Sequence, residues 1–351
     1  NTGSFSQVMT LNNGCDATTF TDDGDNVALC SNFLNLNLIG AVEQVNEAVG
    51  LDDVLIDQDN TVSVSQDLTA NNDCDSTASN FAECRPFANN RVDSTIQQTN
   101  DATGDGFAQI SQGNDAVIDQ DIDLLNSCDE SGAGVNLAEC DYVAFNIIGP
   151  VSQGNEVSSA EESDTVVQSN LAQVSQNLQG VNDCDEENTG DNSALCTDDD
   201  QGIFNFIGSL SQSNDGEVGD DLSQFSFVGI NQVSQTENVC DETGVGDNDA
   251  NCFIPEIDNS IGVVAQSNDA LGSGDADFTQ NNNIPAINQV ATAENDCDQS
   301  DEQSADGNND VEFCQILAQN VIDSILQVND AEGTHVDDIF QDNTGSFSQV
   351  M

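Results

Sequence analysis

ISQGNDAVIDQD, residues 110–121, is the stretch that decides the fold. Ile110, Gln112, Asn114 and Ala116 occupy alternate positions within it. A period of two is typical of a β-strand, because successive side chains of a strand point to opposite faces. One face of the predicted strand therefore combines apolar residues with amides, whereas the other face is rich in Ser and Asp.

The same pattern recurs six times along the chain. Each copy has a first glutamine, a second glutamine about 14 residues later and a third about eight residues after that. The third glutamines are Gln66, Gln120, Gln176, Gln232, Gln289 and Gln349. We predict that the first glutamines and the second glutamines each form a ladder. The first glutamines are Gln44, Gln98, Gln153, Gln212, Gln266 and Gln327. The second glutamines are Gln58, Gln112, Gln168, Gln224, Gln280 and Gln341.

An amide on an apolar face needs a hydrogen-bond partner, because an unpaired buried amide is costly. In a stack of equivalent strands about 4.8 Å apart, each amide can bond to its counterpart in the next strand. A glutamine at a fixed position in every repeat is what such a ladder requires. Gly, Asn and Asp clusters between the strands predict turns.

Twelve cysteines form a second repeating pattern. Six of them precede Asp, and each is followed by a second cysteine after 10 to 17 residues. The distance from a second cysteine to the next first cysteine is 44 residues four times and 45 once, so one segment has a fixed length and the other varies. The pairs, most simply one disulfide per repeat, are Cys15 and Cys30, Cys74 and Cys84, Cys128 and Cys140, Cys184 and Cys196, Cys240 and Cys252, and Cys297 and Cys314.

Because no C-x-x-C motif is present, the cysteines favour disulfides over a metal site and indicate an oxidising compartment, extracellular or at the cell surface. A constant wall with one variable loop is typical of a solenoid. We therefore predict an all-β fold, a parallel β-solenoid of six rungs of roughly 57 residues, each with three to four short strands and a disulfide-closed loop. The predicted repeats of this single domain, residues 1–351, are 15–73, 74–127, 128–183, 184–239, 240–296 and 297–351, preceded by the end of another repeat at 1–14.

Two alternatives to the solenoid are open at this point. High charge with few aromatic residues is typical of disorder, but here 36% of the residues are hydrophobic and they are patterned. Six independent disulfide domains on a string would also give the repeats. Each repeat, however, holds few apolar residues and needs neighbours to bury them.

The nine residues NTGSFSQVM occur twice, at 1–9 and at 343–351. The two copies are 342 residues apart, which equals six repeats, and both carry the glutamine of the third set. We expect the chain to be one full period of a longer object. The partner is then the protein itself, either as near-identical blocks of a giant chain or as subunits joined end to end.

The charge of the chain excludes several functions. The 351 residues carry a formal net charge of −63, with Arg85 and Arg91 as the two basic residues. Such a surface repels nucleic acids and anionic lipids, and no apolar run reaches the ~20 residues of a membrane helix. One histidine, one tyrosine and no lysine leave little for acid–base or nucleophilic catalysis, so we predict that the protein is not an enzyme.

Several acidic turns are candidates for calcium binding, because they combine carboxylates with glycine. They lie at 21–26, 102–106, 244–251 and 306–310, and none has the EF-hand pattern. Solvated acidic turns without an ion are the alternative, so Ca²⁺ is the one cofactor we consider. The candidate ligands are Asp22, Asp23, Asp25, Asp105, Asp247 and Asp249.

The Q-x-N-x-A motif followed by a further glutamine resembles the curlin-type repeat of secreted bacterial fibre subunits, most closely at 110–121. The resemblance implies a β-solenoid with inward Gln and Asn ladders and a role in amyloid-like extracellular fibres. Curlin-type coils are less than half as long and lack the Cys-Asp…Cys loop. We expect a structural subunit or segment of an extracellular filament, sheath or biofilm-matrix fibre. A calcium-dependent adhesin or binding stalk is the alternative.

Overall fold

The protein is all-β, with two parallel sheets and no helix in the part of the chain that the structure describes. This part of the computed structural model comprises residues 1–18, 26–51, 54–77, 80–105, 108–132, 136–159, 165–188, 192–196, 202–244, 248–272, 276–300, 309–334 and 336–351. The arrangement is compatible with the predicted β-solenoid, because strands of successive repeats lie side by side in each sheet.

The strands are numbered β1 to β19 in chain order. Sheet A contains seven of them, in the spatial order β1 (Thr2–Thr18), β4 (Val54–Thr77), β7 (Ala108–Gly132), β11 (Thr165–Asn188), β15 (Asp221–Gly244), β17 (Ala276–Ser300) and β19 (Val336–Val350). The first sheet thus takes one strand from each successive repeat.

Sheet B contains the other twelve strands, which are mostly shorter. They are β2 (Asn26–Ile39), β3 (Val42–Leu51), β5 (Asn80–Val92), β6 (Ile96–Asp105), β8 (Asn136–Cys140), β9 (Val143–Ile148), β10 (Val151–Ser159), β12 (Asn192–Cys196), β13 (Gly202–Ile207), β14 (Leu210–Val218), β16 (Asn248–Gly272) and β18 (Asn309–Gly333).

The strands pair position by position, so that equivalent residues of successive repeats are neighbours. Gln112 pairs with Gln58 on one side and with Gln168 on the other. The first cysteines align in the same way in sheet A, from Cys15 to Cys297. Side-chain columns along the stack follow directly from this register.

The strands of sheet A are longer than the short strands that the sequence predicts. Each sheet A strand from β4 to β17 has 24 or 25 residues. It carries the second and third glutamines of one repeat and the first cysteine of the next repeat. The Asn- and Asp-rich stretches between the third glutamine and the next cysteine predict turns. Asn182 of such a stretch, however, lies inside β11 and is buried. Pairing on both edges of the strand and hydrogen bonding of the buried amide override the turn propensity there.

The inner faces of the two sheets form four apolar clusters separated by buried amides. Ile118 and Ile148 belong to the largest cluster, and Leu124 packs in another with the buried Tyr142. A third cluster contains Ala102 and the residues around it, and the fourth consists mainly of cysteines. Burial of one Ile or Leu side chain contributes about 1.5–3 kcal/mol, so the apolar clusters hold the two sheets together.

In four of the six repeats, the glycine of an I-G motif lies at the bend between strands of sheet B. A Cβ atom at Gly149 would lie 2.9 Å from the main-chain oxygen of Ser94, and one at Gly262 would lie 2.4 Å from that of Gly208. At Gly149 and Gly262 the backbones of successive repeats therefore approach too closely for a side chain, whereas Asp93 occupies the equivalent position of the second repeat. The amide of Gly208 donates to the carbonyl of Ile148 at 2.8 Å, which joins successive bends.

Candidate functional site

The predicted ladder glutamines form two continuous side-chain columns. In each column, the Nε2 of one glutamine donates to the Oε1 of the glutamine in the preceding repeat, at 2.6–3.0 Å. The third glutamines form another column, which begins at Gln7 and has distances of 2.7–2.9 Å.

Main-chain carbonyls fix the orientation of each glutamine amide. The Nε2 of the fully buried Gln98 donates to Gln44 and also lies 3.0 and 2.9 Å from the carbonyl oxygens of Asn60 and Asp115. Only a nitrogen can satisfy these carbonyls, because an amide oxygen has no proton to donate. Every glutamine of the three columns therefore points its N–H groups toward the first repeat.

Asparagines of the Q-x-N motifs connect the two sheets in a zigzag. Asn114 accepts from Asn60 and Asn100 at 3.1 Å each, and it donates to Asn155 and Asn170 at 3.0 Å each. These asparagines point their N–H groups toward the last repeat, opposite to the glutamines. The fourth repeat has Ser226 at this place, and its hydroxyl accepts from Asn214 at 3.2 Å and donates to Asn268 at 3.3 Å.

Two further asparagine columns were not predicted. One runs through sheet B with amide distances of 2.9–3.2 Å, and the other lies two residues before the first cysteines. The signal for the first was an Asn two residues before an Ile or Val near the I-G bend. The members of the two columns are Asn37, Asn90, Asn146, Asn205, Asn259 and Asn320, and Asn126, Asn182 and Asn238.

The cysteines whose side chains are described form one buried column between the sheets. They are Cys74, Cys84, Cys128, Cys140, Cys184 and Cys240. The column is a zigzag, in which the Sγ of Cys74 lies 3.7 Å from the carbonyl oxygen of Glu83, and that of Cys84 lies 3.6 Å from that of Ser127. Each cysteine of sheet B is thus flanked by first cysteines of two successive repeats.

The disulfides do not follow a single rule, which corrects one part of the prediction. Cys74 pairs with Cys84, as predicted for a repeat. Cys140, however, pairs with Cys184 of the following repeat rather than with Cys128. The physical reason is the zigzag, because both neighbours of a sheet B cysteine are within reach, with a Cα–Cα distance of 6.5 Å in both disulfides.

The sulfur atoms of Cys74, Cys84 and Cys128 lie within 4.8 Å of one another. Such a group could hold a metal ion only as thiolates, and two of the three form a disulfide. We therefore assign the group to the sulfur column. Of the other six predicted cysteines, the structure describes the main chain but not the side chains.

Arg85 lies beside the cysteine column and joins neighbouring repeats. Its guanidinium contacts Glu83 at 2.8 Å and also pairs with Glu139 of the next repeat. Asp141 lies 3.9 Å away. One of the two basic residues of the chain is thus placed where three carboxylates meet.

Carboxylates form a column on the outer face of sheet B. One acidic residue of each Q-x-N motif pairs in register with its counterpart in the next repeat, and all six side chains are exposed. Burial of part of the side chain raises the pKa of Asp269, and the neighbouring Asp215, Asp330 and Glu332 raise it further. The members of the column are Glu47, Asp101, Glu156, Asp215, Asp269 and Asp330.

The predicted calcium ligands lie outside the part of the chain whose side chains the structure describes. Asp22, Asp23, Asp25 and Asp247 lie outside the described residues, and the side chains of Asp105 and Asp249 are likewise outside the described set. Calcium binding at these turns stays a prediction.

Comparison with protein-family models, with curated proteins and with solved structures gives no match to this chain. The resemblance to curlin-type repeats therefore stays a prediction from the sequence motif. Among the described residues, no helix is long and apolar enough to cross a membrane.

Proposed function

We propose that this protein is a structural segment of an extracellular filament, sheath or biofilm-matrix fibre, built by end-to-end stacking of β-solenoid blocks. Each block has six rungs of roughly 57 residues, and at about 4.8 Å per rung it advances the filament by about 29 Å. The partner is another copy of the block, and the role is mechanical rather than catalytic.

The continuity of the amide columns carries this proposal. They pass from the first repeat to the last, so no repeat acts as a cap among the residues that the structure describes. Gln44 and Gln327 end one column, and each has amide atoms directed along the axis away from the block. Open strand edges and half-satisfied amides favour addition of another copy unless something covers them.

The disulfides and the charge fit an exterior setting. Disulfides persist in oxidising compartments and constrain the unfolded chain. The outward carboxylates repel one another at low ionic strength, and salt or divalent cations screen this repulsion. An acidic coat keeps neighbouring filaments apart and also repels nucleic acids and anionic membranes.

Cryo-electron microscopy of the native material tests the proposal. We expect filaments with strands perpendicular to the axis, a layer line near 4.8 Å and a rise of about 29 Å per block. Discrete particles at all salt concentrations would contradict it.

A pair of variants on β18 sharpens this test. Gln327→Lys places a charge in the inner column at the end of the block, whereas Val328→Lys places the same charge on the outer face, where Val328 is 40% exposed. We expect the first variant to stop filament growth and the second to leave it intact. Equal filament formation by both variants would argue against stacking through this end.

A further inference from the structure

The two copies of NTGSFSQVM lie at equivalent positions at opposite ends of sheet A. In the first copy, Thr2 pairs with Thr61 and Gln7 with Gln66. In the second copy, the equivalent Gln349 pairs with Gln289. Gln66 and Gln289 belong to the same column, so the two copies occupy one position of the repeat.

The asparagine that begins each copy makes half of the contacts of an asparagine in the interior of the stack. Asn1 donates to the carbonyl of Val45 at 3.0 Å, to Asn46 at 2.8 Å and to Asn60 at 3.1 Å. Asn343 accepts from Asn329 at 2.9 Å. An asparagine with both sets has the pattern of Asn114, which accepts from Asn100 and donates to the carbonyl of Gly154, to Asn155 and to Asn170.

The glutamine of the nine residues divides its contacts in the same way. Gln349 donates to Gln289 at 2.7 Å and to the carbonyl of Asn320 at 3.1 Å. Gln7 donates to the carbonyl of Leu38 at 3.0 Å and accepts from Gln66 at 2.9 Å. Together these are the contacts of Gln120, which donates to one glutamine and two carbonyls and accepts from the next glutamine.

The two terminal strands are also complementary in length. β19 pairs with β17 as far as Val290 and does not extend along 291–300. β1 covers β4 from Thr61 onward and leaves most of 54–60 open. Seven residues (336–342), the nine shared residues once and nine more (10–18) give 25 residues, the length of β7 and β17.

The polarity of the amide columns allows one direction of stacking. Glutamine N–H groups point out of the first repeat, and glutamine oxygens point out of the last. Asparagines have the reverse polarity. The last repeat of one block therefore complements the first repeat of the next, whereas two identical ends would bring donors against donors and acceptors against acceptors.

We propose that consecutive blocks share one copy of the nine residues, so that 336–342 of one block, NTGSFSQVM and 10–18 of the next block form a single strand of sheet A. The proposal rests on the end-to-end stacking proposed above and adds its register. The main chain of Cys15 in the next block then lies beside Cys297, because both align with the first cysteines. Gln44 of the next block lies beside Gln327 and continues its column.

Tandem proteins of two blocks test this register by hydrogen exchange. The first tandem is residues 1–351 followed by 10–351, which contains the nine residues once at the joint. We expect the amides of 291–300 that face away from β15, and those of the joining strand, to exchange at least about 100-fold more slowly than the same amides in the single block, because they become interior. The rates should match those of β11.

A one-residue shift provides the matched control. The second tandem is residues 1–351 followed by 11–351, which lacks Thr10 and moves every following side chain of the strand to the opposite face. Protection in the first tandem and not in the second supports the proposal, and equal rates in both tandems, fast or slow, overturn it. The joint lies within one molecule, and the exchange rates are compared at a dilution at which both tandems and the single block are monomeric. The result then does not depend on filament formation, so the two proposals can fail separately.

Discussion

The amide columns and the cysteine column both run along the stack, but they join neighbouring repeats in different ways. An amide has donors and an acceptor, so Gln120 donates to Gln66 and accepts from Gln176 at the same time. A cysteine forms one disulfide, so Cys140 bonded to Cys184 is not bonded to Cys128. The amide columns can therefore be uniform along the chain, whereas disulfides must select one neighbour.

The amide columns therefore determine the register of the strands, whereas the disulfides determine which repeats are covalently connected. The amide columns specify which residue lies beside which, because a shift by one residue places every buried Gln and Asn on the outer face. The cysteine zigzag follows that register and allows two pairings, within a repeat and between repeats. A covalent bond between repeats closes a longer loop than one within a repeat, so the two pairings should differ in stability.

Removal of the disulfides should give the largest effects. The Cys140–Cys184 bond closes a sequence separation of 44 residues and the Cys74–Cys84 bond one of 10. In the chain-entropy model, Cys140→Ala with Cys184→Ala lowers the free energy of unfolding by about 4 kcal/mol, against about 3 kcal/mol for Cys74→Ala with Cys84→Ala. Denaturant unfolding of both double variants measures the difference.

The two double variants are matched, because all four cysteines are fully buried in the same cluster. Peptide mapping under non-reducing conditions checks that the remaining disulfides keep their partners. If removal of the Cys74–Cys84 bond costs more than removal of the Cys140–Cys184 bond, loop length does not decide the contribution of these bonds.

Substitution of one buried amide should cost about as much as removal of the shorter disulfide. Asn114→Ala removes both the donor and the acceptor of a buried amide in the zigzag, and it leaves the carbonyl of Gly154 without its donor. We expect this to lower the free energy of unfolding by about 3 kcal/mol. Asn114→Ser retains a hydroxyl like that of Ser226 and should cost about 1 kcal/mol. Thermal and denaturant unfolding rank the two variants, and an equal cost would mean that packing rather than hydrogen bonding holds this position.

The fourth repeat allows the converse experiment. Ser226→Asn restores the amide between Asn170 and Asn282 in the column of sheet A and should raise the free energy of unfolding by about 1 kcal/mol. Ser223→Asn on the outer face of the same strand is the control and should change it by less than about 0.5 kcal/mol. A loss of stability in Ser226→Asn would show that β15 has adapted its packing to the smaller side chain.

The ladder positions could be predicted from the sequence, but the contacts between the sheets could not. A period of two and a fixed spacing identify Gln112 and its counterparts, because a parallel register repeats whatever the sequence repeats. The position of Asn100 opposite Asn114 depends on how the chain bends between strands. No spacing along the chain contains this information.

The same limit explains the error in disulfide pairing. Cys128 is nearer to Cys140 than Cys184 is in sequence, but the three are neighbours in one spatial column. Spacing therefore favours Cys128 as the partner of Cys140, whereas the structure pairs Cys140 with Cys184. The asparagines near the I-G bend were missed for a different reason. Each short apolar strand contains a single Asn of this column, so the strand shows no alternating pattern of amides.

The carboxylate column on the outer face of sheet B differs from both the amide columns and the cysteine column. An ionised carboxylate has acceptors and no donor, so its neighbours repel it rather than bind it. Partial burial raises the pKa of Asp269, and Asp215, Asp330 and Glu332 raise it further. On the outer face of sheet A, burial likewise raises the pKa of Asp121. The hydrogen bond from Asn177 lowers it, and Asp67, Asp119 and Asp123 raise it.

A raised carboxyl pKa in the folded state means that the folded chain binds more protons than the unfolded chain between the two pKa values, so stability increases as the pH falls through the folded pKa. We expect the Tm at low ionic strength to be higher near pH 4 than at pH 7, by on the order of a few degrees. Salt at about 0.15 M should reduce the difference, because it screens exposed charges. Asp269→Asn removes one of the titrating groups and should raise the Tm at pH 7 while reducing the pH effect. A Tm that falls steadily between pH 7 and pH 4 would mean that the carboxylate column does not oppose folding.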